Sequence, residues 1–181
     1  MRLPIIFLCL LAVMGMAVTQ PSRTEVTNPA TPEDLKPNSD NVPEAYAIDG
    51  QFERIMVLRF KHQTDLLAGL ESMVKKHNIR NAVILSALGS VRSYHFHTVG
   101  NGTFPVKNIY VKNPDGPADI VSISGYVVDG RVHAHITMTE ADKAFGGHLE
   151  PGTSVFTFAV VTVGIFKDGI DLSRVDDLTY R

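Results

Sequence analysis

The chain of 181 residues is long enough for one domain with a substantial core. Hydrophobic residues make up 44% of it and charged residues 20%, an ordinary globular balance, and the net charge of −2 excludes the basic excess that marks a nucleic-acid-binding domain. The single cysteine, Cys9, lies in the N-terminal apolar stretch.

That stretch, MRLPIIFLCLLAVMGMA, has a short positive start at Arg2, an apolar run from Leu3 to Val13 and small residues at Gly15 and Ala17. It reads as a secretory signal peptide over residues 1–17, with a periplasmic or extracellular destination. An uncleaved anchor and a lipid attachment at Cys9 are the alternatives, but the apolar run is shorter than the roughly 20 residues of a spanning helix. Cleavage removes Arg2, Cys9 and no acidic residue, so the mature chain is one charge more negative and has no cysteine for a disulfide. Residues 18–47 are rich in Pro, Thr, Asn and Asp, the composition of a flexible linker.

A folded domain is expected over residues 48–175, followed by a tail at 176–181. Phe52–Phe60 reads as a strand with Ile55 and Val57 inward. Thr64 suits a helix N-cap and Asp65 the first turn. Leu66, Leu67, Leu70, Met73 and Val74 recur at helical spacing, with Lys75, Lys76 and His77 closing the helix. Asn81–Leu88 is apolar enough for a buried strand, Gly89-Ser90 looks like a break, and Val91–Val99 alternates as a further strand. Gly100-Asn101-Gly102 is a turn, residues 104–111 a strand, and 114–117 a loop. After Pro151-Gly152, the run Ser154–Phe166 is dense in β-branched and aromatic residues. One early helix and many strands joined by short turns predict a compact single α+β domain, a mainly antiparallel β-sheet with a covering helix.

The chemistry concentrates between Asp129 and Gly152. Asp129-Gly130 between two alternating runs predicts a type I′ hairpin, pairing Val128 with Arg131, Val127 with Val132, Tyr126 with His133 and Ser124 with His135. Val121, Ile123, Gly125, Val127, Val132, Ala134 and Ile136 then form a core face, and His133 and His135 share the polar one, about 7 Å apart along the strand. Gly146-Gly147-His148 reads as a flexible loop delivering a third imidazole. Three nitrogens of this kind suit a divalent transition metal and leave a coordination position open; a metal-free polar cluster at a subunit contact is the alternative. His95 and His97 form a second i, i+2 pair, read as a solvated or pocket-rim strand face, with a second metal site or a contribution to the first as the lesser alternatives. Glu140, Asp142 and Glu150 flank the histidines, and nothing in the sequence selects one as a general base.

ALGSV at Ala87–Val91, GRVHAHITM at Gly130–Met138 and GGHL at Gly146–Leu149 together resemble the PPC (plants and prokaryotes conserved) domain, the domain that accompanies AT-hooks in a class of plant nuclear proteins and stands alone in prokaryotes. The resemblance implies a compact, mainly antiparallel fold, a homotrimer, and a metal, zinc foremost, on His133, His135 and His148. It also carries a DNA-binding label, but this chain has no Arg-Gly-Arg-Pro hook and no basic arm. The expected function is therefore an exported, metal-binding module with a small-ligand or regulatory role, with a metal-dependent hydrolase or lyase as the alternative and DNA binding as a second one.

Overall fold

In the structure, a computed structural model, residues 23–28, 40 and 42–175 are described. The signal-peptide, Cys9 and C-terminal-tail readings lie outside these residues, as does most of the linker. The elements run β1 (Thr24–Asn28), β2 (Phe52–Lys61), α1 (Leu66–Lys76), β3 (Ala82–Val99), β4 (Asn108–Asn113), β5 (Ala118–Val128), β6 (Arg131–Thr139), β7 (Ala144–Leu149) and β8 (Ser154–Phe166). Among the described residues, all strands join one antiparallel sheet and one helix covers it, as expected for the α+β class. β1 pairs with β4 over five residues inside a stretch whose composition predicted only a linker.

β3 organises the sheet. Its 18 residues run on through Gly89, where the sequence suggested a break, and absorb register shifts between Ile84 and Ser86 and between Gly89 and Val91. Its first half pairs with β5 and β8, and its second half with β4 and β7. Because β5, β6 and β7 are paired in sequence, the ladder β3–β5–β6–β7 returns to β3 and closes a ring. Ile84, Val91, Phe96, Ile123, Ile136, Met138, Leu149 and Val161 are among the buried residues of the continuous core.

α1 buries Leu66, Leu70 and Val74, three positions of the predicted stripe. Each such side chain contributes roughly 1.5–3 kcal/mol when fully buried. The cap falls one residue later than expected, on Asp65, whose Oδ1 accepts from the Ala68 amide at 3.0 Å. Thr64 is instead held by its main chain, its carbonyl accepting from Val155 N–H at 2.9 Å.

The predicted orientation of β2 is reversed. Leu58 and Phe60 are buried, whereas Ile55 and Val57 are 59% and 68% exposed. In a strand of period two, choosing the wrong parity moves every side chain to the other face. Ile55 and Val57 share their parity with Glu53, Arg59 and Lys61, whereas Met56, Leu58 and Phe60 make the more apolar parity, and it is this parity that faces the core. The strand at 104–111 is shorter than expected and begins at Asn108, because Asn101 organises the preceding turn: its side chain donates to the Thr103 and Pro105 carbonyls and accepts from Lys107 N–H at 2.8 Å. The Asp129-Gly130 hairpin forms with φ of 48° and 78° and the predicted register. A shift between Ile120 and Ser122 turns Val121 outward and buries Ile120 in its place.

The largest departure is β7. Gly146-Gly147-His148 lies in a strand between β6 and β3, and neither glycine has a positive φ. The glycines are there for close approach: a Cβ at Gly146 would lie 1.9 Å from the Ile136 carbonyl oxygen, and one at Gly147 would lie 2.1 Å from that of His97. Gly147→Ala is expected to destabilise the fold by about 3 kcal/mol, because backbone must move to admit the methyl group. Gly102→Ala, with nothing within 4 Å of the new Cβ, should stay within about 0.5 kcal/mol of the parent. Thermal unfolding of both variants checks the contrast.

Candidate metal centre

Strand pairing sets the histidines side by side. Cα partners run Val26, Tyr110, His97, His148, His135 and Ser124 across β1, β4, β3, β7, β6 and β5, one row on a single sheet face. Glu150 lies just past β7, and its N–H donates to the His95 carbonyl at 3.1 Å, so the β7–β3 pairing continues beyond Leu149. Beside this row Lys112, His95 and Glu150 line up across β4, β3 and the end of β7, and His133 pairs with Tyr126 across β6 and β5.

Rings on the first row are in contact. His97 stacks on His148 at 4.5 Å and 19°, and Tyr110 covers the other side of His97 at 4.9 Å. His133 and His135 stack at 5.5 Å and 11°, and each meets His148 edge-on, at 4.9 and 5.4 Å. The three histidines named from the sequence are thus brought together, and His97 and Glu150 join them. Among the described residues, the set whose ligand atoms all lie within 4.8 Å of one another is His97, His148 and Glu150. The Glu150 carboxylate reaches His97 Nδ1 at 2.6 Å.

His148 Nδ1 stands 3.3 Å from the same carboxylate oxygen but is misaligned for a hydrogen bond, and it is buried with no hydrogen-bond partner. An orphaned buried nitrogen costs about 1–3 kcal/mol. A metal ion is one group that would satisfy it, and two imidazoles with one carboxylate are a donor set that transition metals accept. The residues present therefore fit a metal.

The remaining candidates lie apart. Glu140 pairs with Lys143 at 2.9 Å and sits 3.5 Å from the buried Tyr94 hydroxyl, and Asp142 is exposed in the same turn. His95 is anchored by Nδ1 to the Pro151 carbonyl at 2.8 Å, and its main chain is clasped by the buried Thr153 hydroxyl, which donates to His95 O and accepts from His95 N–H. Asp65 Oδ2 accepts from Gly152 N–H at 2.6 Å, so the helix cap also holds the turn that follows Glu150. The sequence reading gave His97 only as a lesser contributor and Glu150 only as one of three flanking carboxylates. Reading GGHLE as a strand would have found both, because His148 and Glu150 are then i, i+2 neighbours aimed at the SYHFH face.

Electrostatics favour neutral imidazoles. Burial, then the nearby His133 and His97, lower the His135 pKa. His148 is lowered too: burial and three neighbouring imidazoles outweigh the opposing pull of Glu150. Neutral imidazole is the form that binds metal.

Comparison with known proteins agrees with this architecture. A family model, the Plants and Prokaryotes Conserved (PCC) domain, matches residues 47–167. A metal-containing protein from Archaeoglobus fulgidus superposes with a TM-score of 0.62 at 22% identity, covering 75% of this chain and 96% of that one. A plant- and prokaryote-conserved protein from Pyrococcus horikoshii gives 0.56 at 23% identity, covering 70% and 89%. A Ralstonia eutropha protein that carries a DNA-binding label gives 0.50 at 21% identity, covering 64% and 80%. Among curated proteins, none matches the sequence.

The lowered pKa values have a consequence for stability. The unfolded chain takes up protons at its histidines near pH 6.5, whereas folded His135 and His148 resist them. Their contribution is complete above about pH 6.5 and is lost as the pH falls through their folded values. The urea midpoint of the metal-free protein should therefore drop between pH 7.5 and 5.5, and a His135→Gln/His148→Gln variant should show a flatter dependence.

Proposed function

The chain belongs to the Plants and Prokaryotes Conserved domain family (PCC or PPC), and from that premise we propose that it is an exported, homotrimeric member that binds a divalent transition metal, zinc foremost, in a small-ligand or regulatory role. The observation that carries the metal reading is the convergence of His97, His148 and Glu150 within 4.8 Å around a buried, unpartnered His148 Nδ1. The three-histidine set His133, His135 and His148 implied by the family resemblance shares His148 with this one, which makes His148 the central ligand. A zinc ion there would act as a Lewis acid toward a bound ligand. The chain's own part is to hold neutral imidazoles and to keep the Glu150 carboxylate against His97.

Export rests on the signal-peptide pattern of residues 1–17. The trimer has independent physical support. Ile55 and Val57 on β2, Leu88 on β3, Val121 on β5 and Phe158 on β8 are all exposed, on neighbouring strands. A cluster of this kind marks an interaction surface, and a second copy of this chain is the occupant the family predicts. A second functional reading, a metal-dependent hydrolase or lyase, is favoured by the donor set: two histidines and one carboxylate leave coordination positions open for substrate. DNA binding follows only the family label, and the charge balance opposes it.

Elemental analysis should find metal in the parent protein and none in His148→Ala. His97→Ala and His133→Ala, compared for metal affinity, tell which set dominates; equal retention in all three variants would refute the site. Val57→Arg with Leu88→Arg should convert a trimer to a monomer in light scattering while leaving the circular dichroism spectrum unchanged.

A further inference from the structure

We infer that the outer edge of β4 is a strand-acceptor site, and that β1 of a second copy of this chain fills it interchangeably with the chain's own β1. β1 pairs with β4 from Thr24 opposite Lys112 to Asn28 opposite Asn108. Thr24, Glu25, Val26 and Thr27 are all exposed, and none belongs to the core cluster. Among the described residues, the side-chain hydrogen bond across the two strands is a long one, from Thr24 Oγ1 to the Lys112 carbonyl at 3.5 Å. The Arg23–Glu25 ion pair lies within the segment itself. Main-chain pairing therefore holds β1, and such pairing is open to any extended segment that meets the edge in register.

β4 needs a partner of this kind. Its other side is taken by β3, so without β1 its outer row of N–H and C=O groups would stand open. Ile109, Tyr110 and Val111 are consecutive apolar residues on it, Lys112 is its one charge, and it carries neither a proline nor a bulge. An edge with so little to blunt it is a template for pairing with another chain.

The tether permits exchange. Tyr46 is fixed to the domain through its hydroxyl, which donates to the Arg174 carbonyl at 2.8 Å. Residues 29–45 separate that anchor from β1, and at roughly 3.3 Å per residue such a length of chain can span several tens of ångströms. A neighbouring copy offers an identical edge, so strand, register and hydrogen bonds survive the swap. The two arrangements then differ in tether entropy, which changes slowly with length. The swap also reaches the histidine face. Val26 stands beside Tyr110 in the row that continues to His97, and the Tyr110 ring lies 4.9 Å from that of His97. A copy that donates its β1 therefore covers the flank of its neighbour's histidine cluster.

Cross-linking tests this. Thr24 and Lys112 are opposed and exposed, and opposed Cα atoms of an antiparallel pair lie roughly 4.5–5.5 Å apart, within disulfide reach. Full-length chains carrying Cys9→Ser with Thr24→Cys are mixed with chains carrying Cys9→Ser with Lys112→Cys, refolded together from urea in a glutathione buffer and separated on a non-reducing gel. Disulfide-linked dimers of unlike chains are expected, about tenfold more than when Lys76→Cys, at an exposed position on α1, replaces Lys112→Cys. Adding Glu25→Pro/Val26→Pro to the first chain should abolish the link, because successive N–H groups point to opposite sides of a strand and one of the two prolines removes a donor to β4. The prolines lie outside the core, so the fold should persist, which circular dichroism checks. A chain with both Thr24→Cys and Lys112→Cys that closes only on itself, with no unlike dimers in the mixture, would overturn the exchange and leave β1 a fixed strand of its own chain. Equal yields with Lys112→Cys and Lys76→Cys, or a link that survives the prolines, would overturn the acceptor edge itself. Light scattering of the parent reports the trimer separately, so failure of the trimer reading does not mask either result.

Discussion

The site depends on one close approach of backbones. β7 enters between β6 and β3, and it does so because two consecutive residues have no side chain to collide with the carbonyls of Ile136 and His97. That insertion closes the β3–β5–β6–β7 ring and lays His148 directly between His97 and His135. Without it, the HFH and HAH segments would be two polar strand faces with no shared centre. The glycine pair is thus a packing device whose product is chemical.

A second constraint is the balance of charge in that centre. Four imidazoles on neighbouring strands would repel one another if protonated. Burial and mutual proximity hold His135 and His148 toward the neutral form, and Glu150 pulls His148 the other way without prevailing. The same carboxylate is held by more than its own contacts. The turn behind it is tied to the α1 cap through Asp65 and to β3 through Thr153. Helix, central strand and carboxylate therefore form one mechanical unit that keeps the side chains of the cluster in place.

Two different surfaces lie outside the core of the sheet. One presents the histidine rows, flanked by Tyr110 and Tyr126. Elsewhere, β2, β8, β3 and β5 expose Val57, Phe158, Leu88 and Val121. Ile55 and Val57 lie on that second surface, which is what misled the reading of β2.

The fold class, the helix stripe, the hairpin register and the pairing of His133 and His135 were legible in the sequence, because each rests on local periodicity or on the backbone demands of Asp129-Gly130. The three signature segments also pointed to the family that the domain match bears out. Tertiary structure decided the rest. Gly146-Gly147 resembles a loop in one dimension, and only the neighbouring carbonyls show that the missing side chains make room for a strand. The parity of β2 and the outward turn of Val121 depend on what each strand packs against. His97 and Glu150 lie 53 residues apart and met in the site only through non-local pairing. Local sequence sets which face a side chain takes relative to its neighbours, but which strand lies alongside is a property of the whole sheet, and that pairing made two histidine pairs and a carboxylate into one centre.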